Sequence, residues 1–252
     1  FSLKSDGVAL LDTARSYRYR HSHDPYVAIA AQGVNHAHPL VRQFAQQQQR
    51  SLSTTDTMAT LLENAPAAGA SFTSFERSKF SQQLETTARI IAARGQLGTK
   101  RQIFFVTLGG WDTHADQARK HSALLQELST NLAEFQTALT NLGVADQVTT
   151  FTLSEFGRTL ASNGGGTDHG WGGHSLVMGG AVDGGKIFGT MPSLEIDGDD
   201  DKGKGRIIPT TSTDQYIATL AAWFGLSASE ISDLLPNLGN FNSTDLGFIR
   251  SA

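Results

Sequence analysis

The 252-residue chain contains no cysteine. That excludes disulfides, thiolate zinc sites and cysteine nucleophiles, but it leaves the compartment open, because an exported bacterial protein can also lack cysteine. Nor is there an excess of positive charge: 20 Lys+Arg stand against 24 Asp+Glu, a net −4. No basic field draws nucleic acid or an anionic membrane, and neither is expected as a partner. No apolar run approaches the roughly 20 residues of a membrane-crossing helix. The chain starts at Phe1 without methionine or a signal-like segment, so it reads as processed or partial.

What is present is ordinary for one globular domain, with a hydrophobic fraction of 39% and a charged fraction of 17%. Glycine is the exception. Its 26 residues cluster, which points to tight turns or to backbone lying close to a ligand. Residues 1–74 carry little periodicity beyond a helix expected over about 40–63. Phe80, Leu84, Ala88 and Ile91 share a helical face over about 75–94, with Gly95 as the expected cap. The run "RQIFFVTL" (101–108) is continuously apolar, as in a strand covered on both faces. Leu124, Leu128, Leu132, Phe135, Leu139 and Leu142 then mark a long helix closed by Gly143, and "QVTTFTL" (147–153) a second strand. Strand, helix, strand is a βαβ unit. A third strand at 175–180, an excursion of hairpin and loop over 184–210 and a helix over 213–224 complete the pattern. The expected fold is α/β, a mostly parallel sheet with helices on both faces.

In such sheets ligands gather beyond the carboxyl ends of the strands. The first strand leads into Trp111-Asp112-Thr113-His114 and the second into Ser154-Glu155-Phe156-Gly157-Arg158-Thr159. The glycine-rich loop 161–174 carries Asp168, His169 and His174. With cysteine absent, carboxylates and imidazoles are the ligand set for a divalent ion, zinc first, with manganese, magnesium or calcium as the other candidates. Arg158 has the planar fork that suits an anion. Plainer readings exist for each: Asp168 capping a turn, His174 as an ordinary histidine, Arg158 paired with Glu155. "HSHD" (His21, His23, Asp24) and "NHAH" (His36, His38) lack a framing element and read as structural or solvated. "DGDDDKGKG" (197–205) lacks the ligand order of an EF-hand and reads as a solvated acidic loop. The triple glycine 164–166 lacks the Lys-Ser/Thr of a P-loop, so no nucleotide cofactor is indicated.

The segments "GGWDTH", "SEFGRTLASNG", "DHGWGGHSLVMGGAV" and "GRIIPTTSTDQYIATLAAWFG" resemble a bacterial family, domain of unknown function 1501, over about residues 75–245. That family is placed in the alkaline phosphatase and sulfatase superfamily. The resemblance implies a metal-dependent hydrolase of small anionic phosphate or sulfate esters. Asp112, His114 and His169 would share one metal, Glu155 would reach a second or orient water, and Arg158 would steady the anion. Two departures stand out. Glu155-Phe156 occupies the place where the phosphatases usually have Asp-His, and no early strand followed by Asp and a nucleophilic Ser or Thr is evident before residue 75. The alternative is therefore a non-catalytic exported binding or structural module. The family resemblance also implies twin-arginine export, with a periplasmic or extracellular address.

Overall fold

The computed structural model describes residues 3–4, 7–8, 27–65 and 78–250. The His21, His23, Asp24 cluster lies outside the described residues. The chain divides into two compact units, 1–108 with 130–142 and 109–129 with 143–252.

In the first unit, α1 (Pro39–Asn64) starts with proline in its first turn, where no backbone donor is lost. The imidazole Nδ1 of His38 accepts from the N–H of Leu40 at 3.3 Å, and that of His36 accepts from the N–H of His38 at 3.1 Å. The "NHAH" histidines thus bond to the backbone where this helix begins. Ser78 caps α2 (Lys79–Ala92), which buries the whole expected face of Phe80, Leu84, Ala88 and Ile91. Gly95 falls inside a 3-10 turn over Arg94–Gln96, and the cap is Ala93, whose N–H bonds back to Arg89. Met58, Leu61 and Leu62 of α1 pack on Ile90 and Ala93, with Phe104 against them.

The segment 101–108 corrects the expected strand. It is extended but pairs with no strand among the described residues, and burial alternates along it: Phe104 packs inward, whereas Ile103 is 79% and Phe105 86% exposed. At Thr107 the Gln83 carboxamide stands in for a neighbouring strand, accepting from the backbone N–H at 3.0 Å and donating to the C=O at 3.2 Å.

The expected parallel sheet is overturned. Among the described residues the ladders are three two-stranded antiparallel sheets. They pair β1 (Leu3–Lys4) with β2 (Gly7–Val8), β3 (Thr149–Phe151) with β6 (Val177–Gly179), and β4 (Gly157–Ser162) with β5 (Thr167–Gly170). The physical reason lies at Asn163-Gly164-Gly165-Gly166. The Asn163 Oδ1 accepts from the N–H groups of Gly165 and Gly166 at 3.3 and 2.9 Å. The chain therefore turns sharply back on itself, and strands joined by a tight turn run antiparallel. The expected glycine-rich loop is a hairpin.

The helix α3 (Gln117–Asn141) is the expected long helix, and Gly143 beyond its end adopts φ +67°, the left-handed conformation of a helix stop. In the second unit, α4 (Thr213–Phe224) and α5 (Ala228–Leu234) each begin with a reciprocal capping box, Ser212 with Gln215 and Ser227 with Glu230. Ala218 and Ala221 pack on Ile231 and Leu238, while Tyr216 and Leu220 pack on Phe248. The acidic stretch 197–205 folds around Asp201, which is buried. Its carboxylate accepts from the N–H groups of Asp197, Gly203 and Gly205 at 2.9, 2.8 and 2.9 Å. These backbone bonds, that from Asp197 first, hold its pKa below the usual carboxylate range. No helix among the described residues is long and apolar enough to cross a membrane.

Tyr216 ties α4 to the β3 and β6 region. Its hydroxyl donates toward the carbonyls of Thr152 and Leu176, each at 3.3 Å, and burial pushes the phenol up to about 12. Tyr216→Phe should cost about 1 kcal/mol in denaturant unfolding, the worth of an ordinary hydrogen bond, and Tyr216→Ala about 3–5 kcal/mol. The ordinary phenol value is 10.0, so the contribution of Tyr216 is whole below that pH and is lost as pH rises from there towards 12. A spectrophotometric titration in which Tyr216→Phe removes no high-pH phenol would refute this.

Candidate metal centre

The centre is built from two short pieces of the second unit, the turn 111–114 before α3 and the β4–β5 hairpin. In the hairpin register Arg158 lies opposite His169. Side chains repeat on one strand face every second residue, so Thr167 and His169 of β5 share a face with Arg158 opposite His169, and Phe156 stands just before β4. That face meets the turn. The Arg158 Nε donates to Thr167 Oγ1 at 2.7 Å, and Nη2 donates to Thr113 O at 2.7 Å and also to Thr167 O. Its Nη1 reaches Asp112 Oδ1 at 3.3 Å and Trp111 O at 3.4 Å. A guanidinium has five N–H donors, and these acceptors engage them. With its side chain 16% exposed, Arg158 clamps the turn to the hairpin, so its donors are committed to the protein.

Two further ties align the pieces. The Thr167 hydroxyl donates to Gln117 Oε1 at 2.9 Å, and the N–H of Gln117 donates to Gly165 O at 3.1 Å. Gly166 passes so close to the turn that a Cβ there would lie 2.5 Å from Thr113 O and 2.7 Å from His114 C. Only glycine fits that approach. Thr113 points inward and is 2% exposed, its hydroxyl 2.8 Å from His121 Nε2 on the second turn of α3. Its neighbours Asp112 and His114 face solvent.

Asp112, His114 and His169 converge. Each offers a ligand atom, and these atoms lie within 4.8 Å of one another. The Asp112 Oδ1 is 2.8 Å from His169 Nε2 and 3.0 Å from His114 Nε2. The hydrogen bond from His169, then that from Arg158 and the nearby imidazole charges, hold the Asp112 carboxyl below its usual range despite some opposing desolvation. Asp168 stands behind His114, its Oδ1 3.5 Å from Nδ1, and it accepts from Asn163 Nδ2 at 3.1 Å. That Asn163 bond leads the causes that keep Asp168 ionised. A carboxylate on the far nitrogen of a metal-binding histidine fixes its tautomer and leaves Nε2 for the ion.

Two imidazoles and one carboxylate on a solvent-facing surface fit a divalent ion with open coordination positions, zinc among the first choices. Glu155 lies on an exposed bend and is not among the three converging groups, and His174 is exposed on the segment after β5. Thr113, Gln117, His121, Asn163 and Phe156 escaped the reading from sequence. The spacing of Gln117 and His121, four apart on one helix face, was the available signal for two of them.

The turn and the hairpin together define an exposed Asp-His-His cluster. The family model described as "Protein of unknown function (DUF1501)" matches residues 8–206, and the chain belongs to that family. No curated protein and no solved structure matches the chain.

Replacing Arg158 with Met removes the donors for three carbonyls, one hydroxyl and one carboxylate, and charged hydrogen bonds contribute roughly 1.5–3 kcal/mol each before relaxation. Arg158→Met should therefore lower stability by about 3 kcal/mol, and Arg158→Lys should recover only part of it, since lysine lacks the fork. Equal stability of the two variants and the parent in urea unfolding would contradict the clamp.

Proposed function

We propose that the protein is a metal-dependent hydrolase of phosphate or sulfate esters, related to the alkaline phosphatase and sulfatase superfamily and exported to the periplasm or beyond. The observation that carries this reading is the meeting of Asp112, His114 and His169 ligand atoms within 4.8 Å. Asp112 supplies an oxygen ligand already ionised at neutral pH, and His114 and His169 each supply Nε2. A divalent ion held there polarises an ester oxygen and acidifies a water, which is what hydrolysis of an anionic ester needs. Asp168 keeps His114 in its ligating tautomer, and Arg158 keeps Asp112 aimed at the site. The Thr113 hydroxyl is bonded to His121 and turned away from the cluster, so the attacking group in this reading is water.

That same buried hydroxyl favours the second reading, an exported binding or structural module that holds an ion without turnover. The two readings separate on activity. In the first, the zinc-loaded protein hydrolyses an aryl phosphate or aryl sulfate, and Asp112→Ala and His114→Ala lose the rate at least 100-fold. Bound metal without turnover assigns the module. Native mass spectrometry should find one ion per chain, with Asp168→Asn weakening it about 10–100-fold. Because imidazole ligands must shed protons to bind a metal, affinity should rise with pH. Absence of bound zinc at equimolar micromolar concentrations would remove both metal readings.

A further inference from the structure

Phe156 has no part in the proposed chemistry, yet it stacks directly on one of the three converging groups. Its ring lies flat on the His169 imidazole, with centroids 3.9 Å apart and planes 8° from parallel. Its other neighbour is the Arg158 guanidinium, whose Cζ is 5.8 Å from the ring centroid. Aromatic pairs that merely fill a core favour edge-on or offset contacts at wider separations, as Phe188 with Phe248 does at 6.1 Å and 72°. A flush stack on a histidine whose side chain remains 47% exposed does something different. Rotation about the Cβ–Cγ bond of a half-exposed imidazole is otherwise soft, and the phenyl face removes that freedom. The hairpin explains how the contact forms: Phe156 immediately precedes β4, two residues before Arg158, and Arg158 lies opposite His169.

We infer that Phe156 is a positioning residue that fixes the ring plane of His169 and so aims its Nε2 at the site occupied by Asp112 Oδ1 and His114 Nε2. The inference rests on the metal reading for its consequence and on the stack for its substance. The hydrogen bond from His169 to Asp112 at 2.8 Å sets one in-plane direction of the imidazole. The stack sets the plane itself, and His114, tilted 32° from His169 at 5.2 Å between centroids, has no such flat platform among the described residues. The two histidines should therefore respond differently to loss of the phenyl ring.

The test uses the full chain as wild type, Phe156→Leu and Phe156→Tyr, with folding checked by circular dichroism. In metal-free protein the His169 ring protons, assigned with His169→Gln, should be shielded by the phenyl face. The shielding should vanish in Phe156→Leu and persist in Phe156→Tyr. Titration with cobalt(II) should then show Phe156→Leu binding about 10–100-fold more weakly than wild type, with altered visible absorption, and Phe156→Tyr restoring both. Unshielded His169 protons in wild type overturn the inference, as does a Phe156→Leu variant that binds cobalt(II) with unchanged affinity and spectrum. Should Phe156→Leu not fold, Phe156→Tyr and Phe156→Trp decide the matter, since both must keep the shielding. Wild type that binds no cobalt(II) yet shows shielded His169 protons sinks the metal reading while upholding the stack.

Discussion

The Arg158 guanidinium is the piece on which the rest of the centre depends. A turn of four residues and a hairpin of fourteen have little apolar surface to hold them together, and the ligands themselves are exposed. One largely covered cation with donors in a rigid plane offsets this by taking carbonyls from both pieces at once. It also gives Asp112 a permanent positive neighbour. Without that neighbour the carboxylate would still face two imidazoles, but the turn that carries it would be held to the hairpin only by the Gln117 bonds to Thr167 and Gly165 and by the close approach of Gly166. The guanidinium thereby orders the backbone, adds to the His169 hydrogen bond in favouring the ionised Asp112, and adjoins the ring stacked on His169.

Glycine makes the clamp geometrically possible. Arg158 can reach Thr113 O only because the Gly165-Gly166 backbone lies against the residues 113–116, with no side chain between them. The same glycines turn the hairpin, whose direction Asn163 fixes by accepting two N–H groups. A cluster that suggests a ligand-cradling loop in sequence serves here as a hinge point between two strands and as a close-packing surface. It brings His169 to Asp112 across 57 residues of sequence through local turn chemistry.

Some of this was legible in the sequence and some was not, for separable reasons. The helix Thr213–Phe224 is readable to the residue because its limits are chemical: a Ser-x-x-Gln box at one end and a left-handed glycine at the other. The face of Phe80, Leu84, Ala88 and Ile91 is readable because helical period and burial agree. The parallel sheet was misread because a continuous apolar run carries no information about its neighbours. Residues 101–108 satisfy that pattern while leaving Ile103 and Phe105 outside. In the same way "QVTTFTL" reads as a strand without stating that its partner, Val177–Gly179, runs the other way.

The ligand triad was reached through an architecture the structure does not have. Parallel strand ends predict a gathering of the loops that carry Asp112, His114, Asp168 and His169, and the family resemblance singles out Asp112, His114 and His169; the structure brings these three together through an antiparallel hairpin docked on a turn. The convergence survives because it depends on something weaker than the sheet. Short polar loops rich in Asp, His and Gly must satisfy their own donors and acceptors, and Arg158 and Thr167 bond across from the hairpin to the turn and to the helix start that follows it. What periodicity cannot convey is the support behind each ligand. Phe156 in sequence is only the residue that stands where the phosphatases usually have a histidine, and its apolar ring offers no atom to coordinate an ion. The face it presents to His169 is visible only once the strand register is known.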